Sequence, residues 1–190
     1  MTVQTPSNME LPDFPITCLK TADQKSTATA FQGQNTVIDF WTTKCTRCPA
    51  ALDKLDAMKS ENKYSNIEFV SVCCDKLDGA REIIEKDDRP RWNNVAHYFM
   101  DEDTKEEAKR VLGFASVPFY VVVNEDGEIV QKGNSNQVDF ETIPGIKRQE
   151  IEKENITVPS TGKAIKKSLE EQPAIQQLIV EHIFCLDEDF

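Results

Sequence analysis

The sequence predicts a single α/β domain, in which helices flank a central mixed sheet, with an inserted helical segment and a C-terminal helical extension. Three apolar runs carry this prediction, and each has the length and composition of a buried strand: residues 37–41, 67–72 and 119–123. Segments with apolar residues at helical spacing lie between these runs. The last run leads into Asn124-Glu-Asp-Gly127, a strong hairpin turn. At 190 residues the chain is long enough for one full core.

Composition and charge exclude several classes of function. The chain has 22 basic and 33 acidic residues and a formal net charge of −11, which argues against nucleic acid or an anionic membrane as a partner. No apolar stretch is long enough to span a bilayer. The first residues are neither basic nor apolar, so no secretory signal is expected. We therefore expect a cytoplasmic monomer in a reducing compartment.

The region before the first predicted core strand is harder to interpret. Residues 1–10 are polar and are predicted to be disordered. Two short segments, 16–19 and 28–31, are candidates for an extra edge hairpin or turn. Cys18 lies in the first of them and is expected to be a packing residue rather than a reactive thiol.

Two cysteines follow the first core strand at the spacing C-x-x-C. The run Val37–Trp41 leads into Cys45 and Cys48. Apolar residues then recur at helical spacing, which predicts a helix from about residue 48 to residue 60. The cysteines therefore lie where a strand gives way to a helix.

This position favours thiol chemistry at Cys45. The first turn of a helix has unpaired N–H groups and a partial positive charge, and both stabilise a thiolate. Lys44 and Arg47 flank Cys45 and act in the same direction. Cys48 is close enough to attack a disulfide that Cys45 forms with a substrate. The pattern predicts a nucleophilic Cys45 and a resolving Cys48.

A C-x-x-C pair is also compatible with half of a zinc site. Such a site needs a second pair of ligands. The later candidates are Cys73, Cys74, Cys185, His97 and His182, and none of them repeats the spacing of a zinc knuckle. Redox chemistry is the favoured interpretation, with no metal or bound cofactor expected.

The middle of the chain predicts an insertion between core strands. After the strand 67–72, Cys73 and Cys74 lie at its C-terminal end, where we expect one to be buried and the other to be an incidental surface thiol. Further elements are predicted as a helix at 78–86, a strand at 95–99, a helix at 101–112 and a returning strand at 128–132. Trp92 is expected to be an aromatic anchored on the surface, with a lid over the site as the alternative.

The C-terminal part predicts helices rather than strands. Domain boundaries are expected near residues 11 and 145, followed by a helical extension at 146–186 that packs on the domain and an acidic tail at 187–190. Helices are predicted at 162–172 and at 173–186, and the second begins at Pro173 and has an apolar face from Ile175 to Ile183.

Three separated motifs, in the right order, resemble the thioredoxin superfamily. The active-site strand Val37-Ile-Asp-Phe-Trp41 and its C-x-x-C resemble the family's V-D-F-W strand and redox pair. The segment Gly113-Phe-Ala-Ser-Val-Pro118 looks like the cis-proline loop. Upstream, Leu11-Pro-Asp-Phe14 and the later insertion resemble the redoxin branch, which contains TlpA, ResA, and tryparedoxin or nucleoredoxin-like proteins. The resemblance covers about residues 11–133.

The resemblance implies a thioredoxin-like fold and dithiol–disulfide oxidoreduction. Asp39, inside an apolar strand, is expected to be a buried carboxylate with a raised pKa. The matching Asp of the family moves protons to and from the second cysteine. A protein or small-molecule disulfide would be the substrate, and a reductase or a low-molecular-weight thiol would supply electrons. The predicted substrate-binding residues are Trp41, Lys44, Thr46, Arg47, Val117 and Pro118.

The chain departs from the family at two places beside the first cysteine. Lys44 stands where the family commonly has Trp, and Thr46-Arg47 separates the cysteines. The dipeptide between the cysteines influences the redox potential, so the direction of electron flow stays open at this point.

Two alternatives remain on the sequence alone. Peroxiredoxins place a threonine three residues before the reactive cysteine, as Thr42 stands to Cys45, but Ile38 occupies the position of their required proline. The other alternative is a non-catalytic module of the same fold that docks through its acidic tail. Retention of both cysteines, Asp39 and Pro118 argues against it.

Overall fold

An eight-stranded mixed sheet organises the part of the chain that the computed structural model describes, residues 9–86 and 91–147. The strands are β1 Met9–Glu10, β2 Pro15–Cys18, β3 Gln24–Ser26, β4 Asn35–Trp41, β5 Ile67–Cys73, β6 Ala96–Phe99, β7 Phe119–Val123 and β8 Glu128–Gly133. The helices are α1 Thr27–Ala30, α2 Cys48–Lys59, α3 Leu77–Ile84 and α4 Glu102–Leu112, with a 3-10 turn at Asn62–Tyr64.

Strand β4 lies in the middle of the sheet and is buried along its whole length. The sheet order is β1-β8-β7-β4-β5-β6-β2-β3. Strands β4, β5 and β6 are parallel neighbours, whereas β7 pairs with β4 in the antiparallel direction. The mixed sheet expected from the sequence is confirmed. A central parallel strand needs cover on both faces, which explains why β4 is a continuous apolar run apart from Asp39 and its first two residues.

Side chains alternate between the two faces of β4 and so divide the core in two. Val37 and Trp41 belong to the cluster that contains Cys48 and Leu52 of α2. We call this side of the sheet the α2 face. Ile38 and Phe40 point to the opposite side and pack with residues of α4, Ala108 and Leu112. Asp39, between Val37 and Trp41, therefore points to the α2 face.

The N-terminal region is more ordered than the sequence indicated. Residues 9 and 10, predicted to be disordered, pair with β8 as strand β1; residues 1–8 lie outside the described part. An edge hairpin does form, but its second strand is Gln24–Ser26 rather than 28–31. Residues 27–30 instead form the single helical turn α1, because the Ser26 hydroxyl accepts a hydrogen bond from Thr29 N and caps it.

The insertion between β5 and β7 contains the predicted elements. Helix α4 begins at its N-cap Asp101, whose carboxylate accepts a hydrogen bond from Thr104 N at 2.8 Å, and ends at Gly113 with φ 79°. Trp92 differs from the expectation: its side chain is only 5% exposed and belongs to the α2-face core. The prediction of a surface aromatic is wrong, because Trp92 packs edge-on against Trp41 and its indole N–H donates to Asp53 of α2 at 2.6 Å.

The last described segment, residues 134–147, contains neither a helix nor a strand. It closes the α2 face instead with three buried side chains, Val138, Phe140 and Ile143. The predicted helical extension and acidic tail lie outside the described residues, except for residues 146 and 147. Among the described residues, no helix is long and apolar enough to cross a membrane.

Candidate active site

The site lies at the junction of β4 and α2. Strand β4 ends at Trp41, and α2 begins at Cys48 after a short turn. Within this turn Cys45 N donates to Thr42 O at 3.1 Å. Arg47 is the N-cap residue but makes no side-chain capping hydrogen bond, and Pro49 occupies the first helical turn, where its missing N–H costs nothing. The first backbone N–H groups of α2 are therefore not occupied by a capping side chain at Arg47.

Cys45 and Cys48 form a disulfide, with their Cα atoms 5.5 Å apart. Cys48 is completely buried, whereas Cys45 is partly exposed. The backbone N–H of Cys48 donates to Sγ of Cys45 at 3.1 Å. This hydrogen bond and the positive end of α2 both stabilise a thiolate at Cys45 in the reduced protein. Cys45 is thus the more accessible sulfur of the pair, and its role as the nucleophile stays a prediction.

The loop before β7 lies against Cys45. The Val117–Pro118 peptide bond is cis. The carbonyl oxygen of Val117 lies 3.8 Å from Sγ of Cys45, and both loop residues are partly buried. The structure brings together three of the residues that the sequence selected, Cys45, Val117 and Pro118, although 72 positions separate the first two.

Asp39 is completely buried on the α2 face, between Ser71 of β5 and Tyr120 of β7 in the sheet register. Neither carboxylate oxygen has a hydrogen-bond partner among the described residues. Burial raises the pKa of Asp39 well above its ordinary value, because the charged form loses its hydration. The pKa of Tyr120 is also raised, by burial first and then by the nearby Asp39 charge. Asp39 and Cys48 are both completely buried, and both lie on the α2 face.

Besides Val117 and Pro118, the predicted substrate-binding residues divide into an exposed group and one buried residue. Lys44, Thr46 and Arg47 are exposed around Cys45 and are free to meet a substrate. Trp41 is only 1% exposed and packs against Trp92. The prediction that Trp41 binds substrate is therefore wrong, because strand alternation turns its ring into the core.

The remaining described thiols differ in reactivity. Cys73 and Cys74 are both completely buried, which corrects the expectation that one is on the surface. Burial raises the pKa of Cys73 to about 12 and that of Cys74 well above its ordinary value, so both are thiols at neutral pH. Cys18 is partly exposed, and although burial raises its pKa, hydrogen bonds from Thr21 lower it overall. Cys18 therefore differs from Cys73 and Cys74 both in its exposure and in the direction of its pKa shift.

Brief alkylation of the reduced protein near neutral pH is expected to label Cys45 first, Cys18 more slowly, and Cys73 and Cys74 last. The order follows from exposure and from the stabilisation of each thiolate. Mass mapping after short iodoacetamide treatment measures it, with the denatured protein as the control in which all thiols react. Labelling of Cys73 or Cys74 as fast as Cys45 would contradict a specialised site.

Sequence reasoning missed two contributors to the site. One is Trp92, which joins Trp41 to α2. The other is Asp75, whose carboxylate binds Thr43, two residues before Cys45. A signal existed for Asp75, because it lies two residues beyond the C-terminal end of a buried parallel strand, where functional residues collect. Among the described residues, no group of three or more His, Cys, Asp and Glu side chains is arranged to hold a metal ion.

Comparisons with known proteins agree with this geometry. The family model described as Redoxin matches residues 6–149. No curated protein sequence matches the chain significantly. One similar solved structure is the thioredoxin domain of a thiol-disulfide oxidoreductase from Bacteroides vulgatus, with a TM-score of 0.56 and 20% identity over 68% of this chain and 89% of that one. Another is a thiol:disulfide interchange protein from Bacteroides sp., with a TM-score of 0.55 and 21% identity over 66% of this chain and 79% of that one.

At this level of identity, the structural neighbours confirm the thioredoxin-like fold. The match of the family model covers most of the chain, and it includes Cys45, Cys48, Asp39 and the loop at Pro118. With the disulfide at the start of α2, these findings identify a dithiol–disulfide oxidoreductase, and the chain belongs to the Redoxin family.

Proposed function

We propose that the Cys45–Cys48 couple reduces disulfides of protein or small-molecule substrates, and that the protein works as a monomer in the reducing cytoplasm. One observation carries the catalytic part of the proposal: the backbone N–H of Cys48 donates to Sγ of Cys45 at 3.1 Å, at the positive end of α2. This contact stabilises the attacking thiolate without any bound cofactor.

The first step is attack on the substrate. The thiolate of reduced Cys45 attacks one sulfur of the substrate disulfide, the sulfur–sulfur bond of the substrate breaks, and the other sulfur leaves as a thiolate. Cys45 is then joined to the substrate as a mixed disulfide. The exposed position of Cys45 makes the attack possible, whereas buried Cys48 has no access to a protein substrate.

The second step releases the product. The thiol of Cys48 gives its proton to the carboxylate of Asp39, and its sulfur attacks Sγ of Cys45. The mixed disulfide breaks, the Cys45–Cys48 disulfide forms, and the second substrate sulfur leaves as a thiolate. Two electrons have passed from the protein to the substrate. A dithiol reductase or a low-molecular-weight thiol returns them in the same kind of exchange.

The loop at Val117 and Pro118 supplies the docking surface in this proposal. Its carbonyl at Val117 lies beside Cys45 and is a hydrogen-bond acceptor for an extended substrate segment. Hydrogen bonds to the substrate backbone do not depend on the side chains of the substrate, which suits a protein that reduces several substrates.

Insulin reduction by the purified protein, with dithiothreitol as the electron source, tests the activity, and a measured reduction potential tests its direction. We expect insulin to precipitate faster than with dithiothreitol alone. A potential below about −200 mV supports a reductant, whereas one near −120 mV indicates an oxidant. Peroxide consumption without insulin reduction would favour the peroxidase alternative, and the absence of both activities would favour a binding module.

The exposed Lys44 and Arg47 predict a preference for negatively charged disulfides, even though the whole chain is acidic. Replacing both residues by Gln is expected to slow the reduction of oxidised glutathione about threefold or more relative to neutral hydroxyethyl disulfide. The reason is that exposed charge pairs contribute about 0.2–1 kcal/mol each and are screened by salt. Stopped-flow rates for both substrates, at low and high salt, measure the effect.

The neutral disulfide corrects for any change in the thiolate itself. The double variant Lys20→Gln/Lys25→Gln removes two positive charges from the β2–β3 hairpin, away from Cys45. This control should keep the preference for oxidised glutathione. An equal loss for glutathione disulfide in this control would show that only the net charge matters.

A further inference from the structure

The carboxylate of Asp75 connects the C-terminal ends of β4 and β5. Asp75 lies two residues beyond β5, and four donors converge on it. Thr43 donates its backbone N–H to both oxygens, at 3.0 and 3.1 Å, and its hydroxyl to Oδ2 at 2.7 Å. Cys73 Sγ at 3.1 Å and Lys76 N at 2.9 Å donate to Oδ1. One side chain thus ties the turn after β4 to the end of β5.

This carboxylate is ionised at neutral pH. Partial burial alone would raise the pKa of Asp75, but the hydrogen bonds from Thr43, Cys73 and Lys76 lower it overall. Hydrogen bonds to an ionised acceptor are about twice as strong as hydrogen bonds between neutral groups. The hydrogen bonds from Thr43 to Asp75 therefore belong to the stronger class.

Helix α3 lies close to the other side of Thr43. A Cβ atom placed on Gly79 of α3 would lie 3.1 Å from the methyl carbon of Thr43 and 3.5 Å from Cβ of Lys76. The absence of a side chain at Gly79 therefore leaves room for the Thr43 methyl group. Asp75 binds the polar side of Thr43, and α3 lies close to its apolar side.

We propose that Asp75 is a positioning residue for Cys45 and acts through Thr43. Only Lys44 separates Thr43 from Cys45, and the hydrogen bond from Cys45 N to Thr42 O keeps this turn short. Holding Thr43 in place therefore keeps Sγ of Cys45 in front of the N–H of Cys48, which stabilises the thiolate. The inference rests on the proposed function and adds a residue from a different strand to its machinery.

The test uses the sign of the change in the pKa of Cys45. In Asp75→Asn, an amide with one accepting oxygen replaces a carboxylate with two, so the four donors can no longer all be satisfied. Loss of position weakens the Cys48 N–H contact, and the pKa of Cys45 is expected to rise by about half a unit, a threefold change in the equilibrium. The reduction potential becomes more negative in parallel. Loss of a nearby negative charge alone would instead lower this pKa.

Thr43→Val and Thr43→Ser complete the experiment. Thr43→Val keeps the shape and the charge but loses the hydroxyl, so it should shift the pKa of Cys45 in the same direction as Asp75→Asn. Thr43→Ser keeps the hydroxyl that binds Asp75, so it should shift the pKa of Cys45 less than Thr43→Val does. Because Asp75 acts through Thr43, the double variant Asp75→Asn/Thr43→Val should be no worse than the worse single variant. Asp78→Asn removes an exposed charge from α3 and is the matched control.

The pKa is measured from the pH dependence of Cys45 alkylation in a Cys18→Ser background. A fall in the pKa of Cys45 in Asp75→Asn, or a silent Thr43→Val, would overturn the positioning role. Urea unfolding measures the stability of each variant. A positioning role predicts a shift in the pKa of Cys45 even where the stability of the variant is close to that of the unaltered protein. If insulin is not reduced by the unaltered protein but these shifts still occur, the proposed function fails while the positioning role stands.

Discussion

Replacing Cys45 by Ser is expected to reduce insulin-reducing activity to the rate of dithiothreitol alone. Cys45 carries the only partly exposed sulfur of the disulfide pair, and it receives the hydrogen bond from Cys48 N. Serine has nearly the same size but does not form a disulfide, so no mixed disulfide can arise. The insulin precipitation assay measures the loss, and circular dichroism verifies that the fold is kept.

Replacing Cys48 by Ser should have a different effect from replacing Cys45. The first attack by Cys45 remains possible, but resolution does not, so a covalent complex with substrate should accumulate. Non-reducing electrophoresis after incubation with a disulfide-containing peptide detects this complex, and added dithiothreitol should reduce the mixed disulfide and release the peptide. The complex should be missing from a variant with Ser at both positions.

Cys18→Ser is the matched control, because Cys18 is the other partly exposed described cysteine and has a lowered pKa. Its activity should equal that of the unaltered protein. Insulin reduction that survives in Cys45→Ser, or is lost in Cys18→Ser, would contradict the assignment of the nucleophile.

Asp39→Asn is expected to slow the release of product and to stabilise the protein. Asp39 is completely buried without a hydrogen-bond partner among the described residues, so its ionised form is costly in the folded state. Asn has the same shape and no charge, but it does not take the proton of Cys48. Loss of a general base costs about 10²–10⁴-fold, so a slowing of tenfold or more in the decay of the mixed disulfide is expected at neutral pH.

The stability gain should depend on pH in a defined direction. The folded-state pKa of Asp39 is raised, so between its unfolded and folded values the folded protein holds one proton more than the unfolded chain. Stability therefore falls as pH increases through this range, by about 1.4 kcal/mol for each pH unit. Below the unfolded pKa there is no such penalty. The advantage of Asp39→Asn should be small near pH 4 and larger at neutral pH.

Urea unfolding at several pH values checks this slope, with the oxidised forms of both proteins. Asp78→Asn, which removes an exposed carboxylate, should leave the pH dependence unchanged. A destabilised Asp39→Asn at neutral pH would mean that Asp39 is a satisfied structural group and would remove the support for its role in proton transfer.

The redox pair and the burial of Asp39 were predictable because their signals are local. The apolar run Val37–Trp41, the C-x-x-C spacing and the helical recurrence after it lie within about two dozen consecutive residues. The burial of Asp39 follows from the same run, since a charged residue inside a strand covered on both faces has nowhere else to point. Asn124-Glu-Asp-Gly127 predicted the hairpin for a similar local reason, and the turn is present.

Features that join distant parts of the chain had no such signal. The hairpin was misplaced because Gln24–Ser26 is short and polar and is recognised only by its pairing with β2. Cys73 and Cys74 are both buried because β5 lies between β4 and β6 with both faces covered, so neighbours that point in opposite directions both enter the core. Trp41 was assigned to the substrate surface from its closeness to Cys45 in sequence, although alternation along β4 turns it inward.

Asp75 shows most clearly what required the assembled molecule. Its hydrogen bonds to Thr43 span 32 positions and exist because β4 and β5 are parallel neighbours whose C-terminal ends meet at one edge of the sheet. Local propensity describes each strand but not which strands lie side by side, since that choice depends on how the whole chain buries its apolar surface. The chemistry of Cys45 could therefore be predicted from its own segment, whereas the contacts that hold it in position arise from the packing of the sheet.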